Sequence, residues 1–292
     1  MNTILDPLQD SPPPPVPQPS GGELLSSRDL DPSDHVIRLT HGIELGGKDV
    51  VLMAGPCAVE HVDQLILAAE AVRAAGARVL RGGAYKPRTS PYSFQGLGRR
   101  GLVMLRTVAD RLGMAMVTEV VATEDIPLVA DYADILQIGA RNMANYRLLE
   151  EAGRSMRPVL LKRGLGSTID ELLLSAEYVL AQGNPDVALC ERGIRTFETA
   201  TRFTLDIGAV PILKRRSRLP VVLDPSHAAG DSALVGPMAR AGIAAGADAL
   251  LIEVHANPAQ ALCDGAQSLD PRQFAQLVTE GGRIAAAVDR GL

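Results

Sequence analysis

The sequence predicts a (β/α)8 barrel, and three observations lead to that prediction. From residue 50 onwards, short apolar runs alternate with segments of helical periodicity. Eight such strand–helix units over about 240 residues match a closed eight-stranded barrel in number and size. Unusual polar side chains follow the ends of all eight runs. A doubly wound open sheet is the alternative, but it needs only five to seven strands and usually an early glycine fingerprint, which the chain lacks.

The eight runs are mostly apolar on both faces, as is typical of buried parallel strands. They are Val50–Ala54, Ala77–Leu80, Met114–Val117, Asp134–Ile138, Pro158–Leu161, Val187–Cys190, Pro220–Leu223 and Ala249–Ile252. The segments between them predict helices. Thr168-Ile-Asp-Glu171 is a capping box before an apolar stripe, and we expect that helix to close at Gly183. Asp270-Pro271 supplies an N-cap and an N1 proline for the last helix.

The chain divides into an N-terminal arm and a barrel. Residues 1–34 contain the run Pro12-Pro-Pro-Pro15 and many Ser, Asp and Gly residues, so we predict a disordered or loosely docked arm. Residues 35–292 form the barrel domain. Within it, His35–Leu39 and Gly42–Leu45 flank a Thr-His-Gly turn, which predicts a small hairpin that caps the barrel.

Composition excludes several classes of function. The 292 residues carry a net charge of −5, which argues against general nucleic-acid binding. Three cysteines are too few for a disulfide framework and favour a reducing cytoplasm. No apolar run reaches the roughly 18 residues of a membrane span, and the acidic, Pro-rich N-terminus lacks the apolar core of a signal peptide. We therefore expect a cytoplasmic protein with no nucleic-acid or membrane partner.

A cationic loop follows the second predicted strand, with the sequence Arg81-Gly-Gly-Ala-Tyr-Lys86-Pro-Arg88-Thr89-Ser90. Crowded cations repel each other by about 4 kcal/mol per contact at 4 Å and an effective dielectric near 20, so a compact loop tolerates them best around an anion. A solvated basic turn is the alternative. Further cations follow other strands, and the set that converges from four loops is Arg81, Lys86, Arg88, Arg141, Lys162 and Arg192. Such a set predicts a ligand with phosphate and carboxylate groups.

A second set of polar side chains follows the first, seventh and eighth strands, and the eighth and first strands are neighbours in a closed barrel. Its members are Cys57, His227, Glu253 and Asp264. One thiolate, one imidazole and two carboxylates suit a divalent transition ion. The alternative for Cys57 is a buried small hydrophobic residue. His255, two residues past Glu253, is a competing ligand, and we interpret Cys190 and Cys263 as structural.

Six motifs closely resemble the 3-deoxy-7-phosphoheptulonate synthase (DAHP synthase) family, especially its small type I beta branch, over residues 50 to about 290. The motifs are Ala54-Gly-Pro-Cys-Ala-Val-Glu60, Arg81-Gly-Gly-Ala-Tyr-Lys-Pro-Arg-Thr-Ser-Pro-Tyr-Ser-Phe-Gln95, Ile138-Gly-Ala-Arg-Asn142, Leu161-Lys-Arg-Gly164, Cys190-Glu-Arg-Gly-Ile-Arg195 and Asp224-Pro-Ser-His227. The resemblance implies a (β/α)8 barrel that condenses phosphoenolpyruvate with erythrose 4-phosphate, the first step of the shikimate pathway to chorismate. It also implies one divalent metal ion, which is Mn²⁺, Fe²⁺, Co²⁺ or Zn²⁺.

The resemblance further implies a role for each site residue. The implied metal ligands are Cys57, His227, Glu253 and Asp264. The residues implied to hold phosphoenolpyruvate are Arg81, Lys86, Arg141, Lys162 and Arg192. Those implied to hold erythrose 4-phosphate are Lys86, Pro87, Arg88 and Thr89, and Ala140 and Asp224 are also implied in substrate binding. For the reaction so implied, we expect four catalytic residues: the metal ligands Cys57 and His227, Lys86 to protonate the forming alkoxide, and Glu119 to orient a water molecule.

Two other functions stay open at this point. The sister family, 3-deoxy-octulosonate-8-phosphate synthase, uses arabinose 5-phosphate and carries Lys-Ala-Asn-Arg-Ser where this chain has Lys86-Pro-Arg-Thr-Ser90, so the sequence favours the four-carbon sugar phosphate. The other alternative is a catalytically silent barrel that binds a phosphorylated metabolite. We expect a homo-oligomer, either a dimer or a tetramer, and an arm too short and too Pro-rich to be the regulatory domain of many relatives.

Overall fold

Eight parallel strands close into a barrel in the computed structural model of the chain, which describes residues 22–87 and 90–292. A two-stranded antiparallel hairpin precedes the barrel, and it consists of β1 (Ile37–Leu39) and β2 (Ile43–Leu45). The barrel strands are β3 (Val51–Gly55), β4 (Val79–Arg81), β5 (Ala115–Val120), β6 (Ile135–Ile138), β7 (Val159–Lys162), β8 (Val187–Glu191), β9 (Val221–Leu223) and β10 (Ala249–Glu253). Because β10 pairs with both β9 and β3, the sheet is closed, which confirms the barrel and rejects the open sheet.

Helices follow the strands and form the outer layer. In the described part of the chain they are α1 (Val62–Ala74), α2 (Arg99–Leu112), α3 (Ile126–Tyr132), α4 (Tyr146–Arg154), α5 (Ile169–Leu180), α6 (Ala209–Arg216), α7 (Pro225–Ala229), α8 (Ser232–Ala244) and α9 (Pro271–Ala287). None of these helices is long and apolar enough to cross a membrane.

The core has two layers because strand side chains alternate between the two faces of the sheet. Leu52 and Ala54 of β3 face outward and pack with the helices. Val51 and Met53 of the same strand face the barrel axis, where they share a cluster with hairpin residues such as Ile37. The predicted hairpin is therefore confirmed, and it covers the end of the barrel at which the strands begin. The opposite end, at which the strands finish, stays open for polar side chains.

Capping residues fix the N-termini of α5 and α9. The Thr168 side chain accepts a hydrogen bond from the Glu171 N–H at 3.1 Å, and the Glu171 carboxylate accepts one from the Thr168 N–H at 2.8 Å, as the capping box predicted. Asp270 likewise caps α9. The prediction for the end of α5 was three residues too long. The helix ends at Leu180 because Gln182 and Gly183 turn back onto the carbonyls of Val179 and Leu180, and Gly183 adopts a φ of +87°.

Residues 22–34 contact the barrel. The N–H groups of Leu25 and Ser26 donate to the Glu177 carboxylate at 2.8 and 2.9 Å, and Ser27 forms an antiparallel bridge with Ser217. The run Pro12–Pro15 lies outside the described residues. The division of the chain at residue 34 stays a prediction.

Candidate active site

A cavity of about 270 Å³ opens at the end of the barrel where the strands finish. This is the end at which (β/α)8 barrels place their active sites, because the loops after all eight strands meet there. The predicted site residues that line the cavity are Lys86, Pro87, Glu119, Ala140, Arg141, Arg192, His227 and Asp264. Arg88 and Thr89 lie outside the described residues.

The four predicted metal ligands come together beside this cavity. The possible ligand atoms of Cys57, His227, Glu253 and Asp264 all lie within 4.8 Å of one another. Glu253 ends β10 and Cys57 follows β3 by two residues, so the pairing that closes the barrel also joins these two side chains. His227 is carried by α7, and Asp264 by the loop after β10. One sulfur, one imidazole and two carboxylates at this spacing fit a divalent transition ion.

Neighbouring groups orient the imidazole and the thiol. His227 Nδ1 lies 2.7 Å from Asp224 Oδ2, so Nε2 faces Glu253 Oε1 at 3.3 Å. Burial lowers the pKa of His227, which favours the neutral imidazole that metals bind. The Cys57 thiol donates to Asp264 Oδ2 at 3.2 Å. A hydrogen bond with Cys263, together with burial, raises its pKa, so metal binding at Cys57 would release a proton.

Glu253 lies at the centre of the charged groups. Its Oε1 accepts from the Arg81 guanidinium at 2.9 Å, and its Oε2 accepts from the Gln267 amide at 2.6 Å. Burial alone would raise the pKa of this carboxyl. Interactions with His227, Arg81 and Lys86 outweigh burial and lower the pKa to about 2. Glu253 is therefore ionised over the whole physiological range, as a metal ligand must be.

His255, the competing ligand of the sequence analysis, does not join this set. Its Nδ1 accepts from the Asn257 N–H at 3.0 Å, and its Nε2 is directed towards Glu60 Oε1 at 3.6 Å. Cys190 packs in the apolar interior of the barrel, where burial raises its pKa, as a structural cysteine would. Cys263 packs against Cys57 itself.

Three cations form the base of the site and are already held by protein oxygens. Arg81 donates to Pro56 O as well as to Glu253, and its Nε is buried without a hydrogen-bond partner among the described residues. Lys162 Nζ lies 2.5 Å from the buried Asp224 carboxylate. Lys86 Nζ donates to Cys57 O and Cys57 Sγ, both at 3.1 Å. Burial disfavours the charged ammonium, but interactions with Cys57 and with the carboxylates of Glu119 and Glu253 raise the pKa of Lys86 to about 12.

Two arginines of the site lack a salt-bridge partner within the described part of the chain. Among the described residues, neither Arg141 nor Arg192 forms an ion pair. Arg192 is only 5% exposed and stacks on the Phe203 ring at 4.4 Å. Burial lowers the pKa of Arg192, and the nearby Asp224 and Glu191 oppose this only in part. Arg141 is exposed at the cavity wall beside Ala140. Two such arginines offer the cavity guanidinium donors of the kind that suit an anionic ligand.

Glu119 extends from β5 into the space between these cations. A small second cavity is lined in part by Arg81, Lys86 and Glu119. The Glu119 carboxylate passes so close to Gly139 that a Cβ at that position would lie 2.0 Å from Oε1. Any larger residue at position 139 would displace the Glu119 carboxylate, and glycine leaves it in place.

Some residues of the site were not among the predicted ones, and three of these contribute a charge, a ring or an amide, namely Arg202, Phe203 and Gln267. Arg202 and Phe203 lie in residues 192–208, between β8 and α6, and both line the cavity. A connection of that length without a helix is uncommon in a barrel and usually functional, which is the signal that sequence reasoning could have used. Gln267 lies in the loop after β10 and gives no comparable signal.

Comparison with known proteins identifies the family of the chain. The sequence profile of the DAHP synthetase I family matches residues 34–288. A phospho-2-dehydro-3-deoxyheptonate aldolase of Thermotoga maritima is 54% identical over 264 residues, which are 90% of this chain and 78% of that protein. A 2-dehydro-3-deoxyphosphooctonate aldolase of Desulfosudis oleivorans is 30% identical over 252 residues, which are 80% of this chain and 90% of that protein.

Solved structures are similar over almost the whole chain. The crystal structure of a phospho-2-dehydro-3-deoxyheptonate aldolase (DAHP synthase) from Thermotoga maritima has a TM-score of 0.90 and 52% identity, and covers 94% of this chain and 80% of that one. A truncated 3-deoxy-D-arabino-heptulosonate 7-phosphate synthase from the same organism has a TM-score of 0.86 and 49% identity, and covers 91% of this chain and 98% of that one. The chain therefore belongs to the DAHP synthetase I family.

Proposed function

We propose that this chain condenses phosphoenolpyruvate with erythrose 4-phosphate and water to give 3-deoxy-D-arabino-heptulosonate 7-phosphate and phosphate. The observation that carries the proposal is the contact between two sets of residues. Lys86 Nζ, a member of the cation set, lies 3.1 Å from the sulfur of Cys57, a member of the metal-ligand set. An anion held by the cations is thereby adjacent to any ion held by the ligands. The family membership and the 54% identical relative support the same reaction.

The metal site has a defined chemical task in this proposal. Cys57, His227, Glu253 and Asp264 would hold a divalent ion, namely Mn²⁺, Fe²⁺, Co²⁺ or Zn²⁺. When bound, such an ion supplies Lewis acidity that polarises the aldehyde oxygen of erythrose 4-phosphate. The sequence Lys86-Pro-Arg-Thr89 would hold this second substrate, and Arg88 and Thr89 of that sequence lie outside the described residues.

Phosphoenolpyruvate would lie among the other cations, and Arg141 and Arg192 would bind its phosphate because neither forms an ion pair with an acidic group of the described chain. The remaining residues proposed to surround it are Arg81, Lys86, Ala140, Lys162 and Asp224. The two substrates are both anionic and repel each other in water. Holding them in reacting positions contributes about 7–11 kcal/mol in favourable cases.

Proton movements belong to Lys86 and Glu119. Carbon 3 of phosphoenolpyruvate attacks the aldehyde carbon, and the Lys86 ammonium donates a proton to the forming alkoxide. Its raised pKa keeps this group protonated before the reaction. Water then adds to carbon 2, with Glu119 orienting it, and the resulting hemiketal phosphate collapses with loss of phosphate. General acid–base steps of this kind contribute about 10²–10⁴-fold to rate.

A phosphate-release assay tests the proposal. The protein is given phosphoenolpyruvate with either erythrose 4-phosphate or arabinose 5-phosphate, with and without excess chelator. We expect turnover with erythrose 4-phosphate that chelation abolishes and added Mn²⁺ restores. Preference for arabinose 5-phosphate would assign the chain to octulosonate synthesis instead, and no turnover with either sugar would favour the silent barrel. Full activity in excess chelator would reject the proposed metal dependence.

A homo-oligomeric state and a cytoplasmic location stay predictions.

A further inference from the structure

A buried amide connects the two carboxylates of the metal-ligand set. The Gln267 side chain is only 2% exposed. Its Nε2 donates to Glu253 Oε2 at 2.6 Å, and its Oε1 accepts from Arg202 Nη1 at 2.7 Å. The orientation of the amide is unambiguous, because a guanidinium can only donate and an ionised carboxylate can only accept.

The same guanidinium also reaches the second carboxylate. Arg202 Nη1 donates to Asp264 Oδ1 at 3.2 Å. The other oxygen of Asp264 faces the sulfur of Cys57 at 3.2 Å. Arg202 Nη1 thus contacts Asp264 directly, and it is linked to Glu253 through the Gln267 amide. Glu253 has its Oε2 held by this link and its Oε1 facing His227. Asp264 has its Oδ1 held by Arg202 and its Oδ2 facing Cys57.

The backbone that carries Arg202 is itself fixed to the helix that carries His227. The N–H groups of Arg202 and Phe203 donate to the carbonyls of Ala229 and Ala228 at 3.1 and 2.9 Å. These carbonyls belong to the last turn of α7, where helix carbonyls lack partners within the helix. The position of Arg202 relative to His227 is therefore set by backbone bonds and does not depend on a flexible loop.

We infer that Arg202 and Gln267 are positioning residues that hold Glu253 and Asp264 in the arrangement that binds the metal, an inference that rests on the metal dependence proposed above. Arg202 is 39% exposed, so its ion pair with Asp264 alone would contribute little in water. The effect comes through the buried amide, because without Gln267 the Oε2 of Glu253, a carboxylate that is only 1% exposed, loses its donor. Loss of a hydrogen bond to a ligating carboxylate typically weakens metal affinity by about 10–100-fold.

Cobalt binding without substrates tests this inference by a readout other than turnover. The dissociation constant and the visible absorption spectrum of Co²⁺ are measured for the wild type and for Gln267→Met, Arg202→Met and Arg202→Lys. We expect Gln267→Met to weaken binding by about 10–100-fold and to shift the ligand-field bands, with the thiolate charge-transfer band retained because Cys57 is intact. Arg202→Met is expected to weaken binding by about 10-fold, and Arg202→Lys, which keeps a donor for Gln267, by less.

Arg195→Met is the matched control, because Arg195 is exposed on the same loop and its side chain has no partner among the described residues. It should leave the affinity and the spectrum unchanged. Wild-type affinity and spectra in both methionine variants would overturn the positioning role. If Gln267→Met does not fold, the Co²⁺ affinity and spectrum of Arg202→Met alone test the positioning role, because Arg202 is partly exposed and its replacement should be tolerated. A wild type that fails to bind Co²⁺ would instead reject the proposed metal site, so the two failures are distinguishable.

Discussion

Glu119 and Gly139 illustrate, at the scale of single residues, how an absent side chain can position a reacting group. Gly139 has φ −67° and ψ 156°, which any residue adopts, so glycine is not required by backbone conformation. It is required by space, since a Cβ would lie 2.0 Å from Glu119 Oε1. The end of the Glu119 side chain can move away at small cost in stability, but it then leaves the position proposed for orienting water.

We therefore predict that Gly139→Ala lowers kcat by about 10-fold with little change in melting temperature, because small misplacements of catalytic groups are costly. Glu119→Gln should lower kcat by about 10²-fold. Steady-state kinetics and thermal melts measure both effects. Gly166→Ala is the control, since nothing lies within 4 Å of a Cβ there. Wild-type kcat in Gly139→Ala would mean that the exact position of the carboxylate is unimportant, and wild-type kcat in Glu119→Gln would remove its role.

The residues of the candidate site were predictable from the sequence only in part. The four candidate ligands were found because each follows a strand end and belongs to a residue type that binds metals. The exclusion of His255 from the ligand set was not predictable, because it depends on the Asn257 N–H occupying Nδ1 and on Nε2 facing Glu60. The roles of Arg202 and Gln267 were equally hidden, since they arise from contacts between residues far apart in the sequence.

At the scale of elements, signals confined to a few residues predicted structure well. The hairpin and the caps of α5 and α9 depend on neighbours within about four positions, and all three are present. The connection between β8 and α6 was not predicted, because its shape depends on distant partners. Its backbone bonds to Ala228 and Ala229 join it to α7, which follows a different strand.

The cap of α5 gives a prediction at this scale. Thr168→Ala removes the oxygen that accepts from the Glu171 N–H, so we expect a loss of about 1 kcal/mol in stability. For a domain of this size the melting temperature should fall by roughly 2–4 °C. Thr168→Ser keeps the oxygen and should melt as the wild type does. Turnover should not change in either variant, because the cap lies outside the cavity lining. An unaltered melting temperature for Thr168→Ala would show that the box does not stabilise the barrel.

At the scale of the whole molecule, closure of the barrel creates the site. Cys57 and Glu253 stand near opposite ends of the domain in sequence, and only the pairing of β3 with β10 makes them neighbours. The count of eight strands predicted this closure, and with it the position of the site. The same closure concentrates positive charge at one end of a chain whose net charge is −5. Arg141 and Arg192 form no ion pair there among the described residues, so a bound anion would supply the partner that they lack.

Anion binding should therefore stabilise the whole barrel even without metal. In excess chelator, phosphoenolpyruvate at about 100 times its dissociation constant should add about 2.7 kcal/mol to the free energy of unfolding, a rise in melting temperature of roughly 5 °C or more. Arg192→Gln should lose most of this rise, since Arg192 is buried in the site without an ion pair among the described residues. Arg283→Gln, an exposed site on α9, should retain it. Chloride at matched ionic strength controls for screening. Equal stabilisation by chloride would contradict a specific anion site at the barrel mouth, and so would an undiminished rise in the melting temperature of Arg192→Gln.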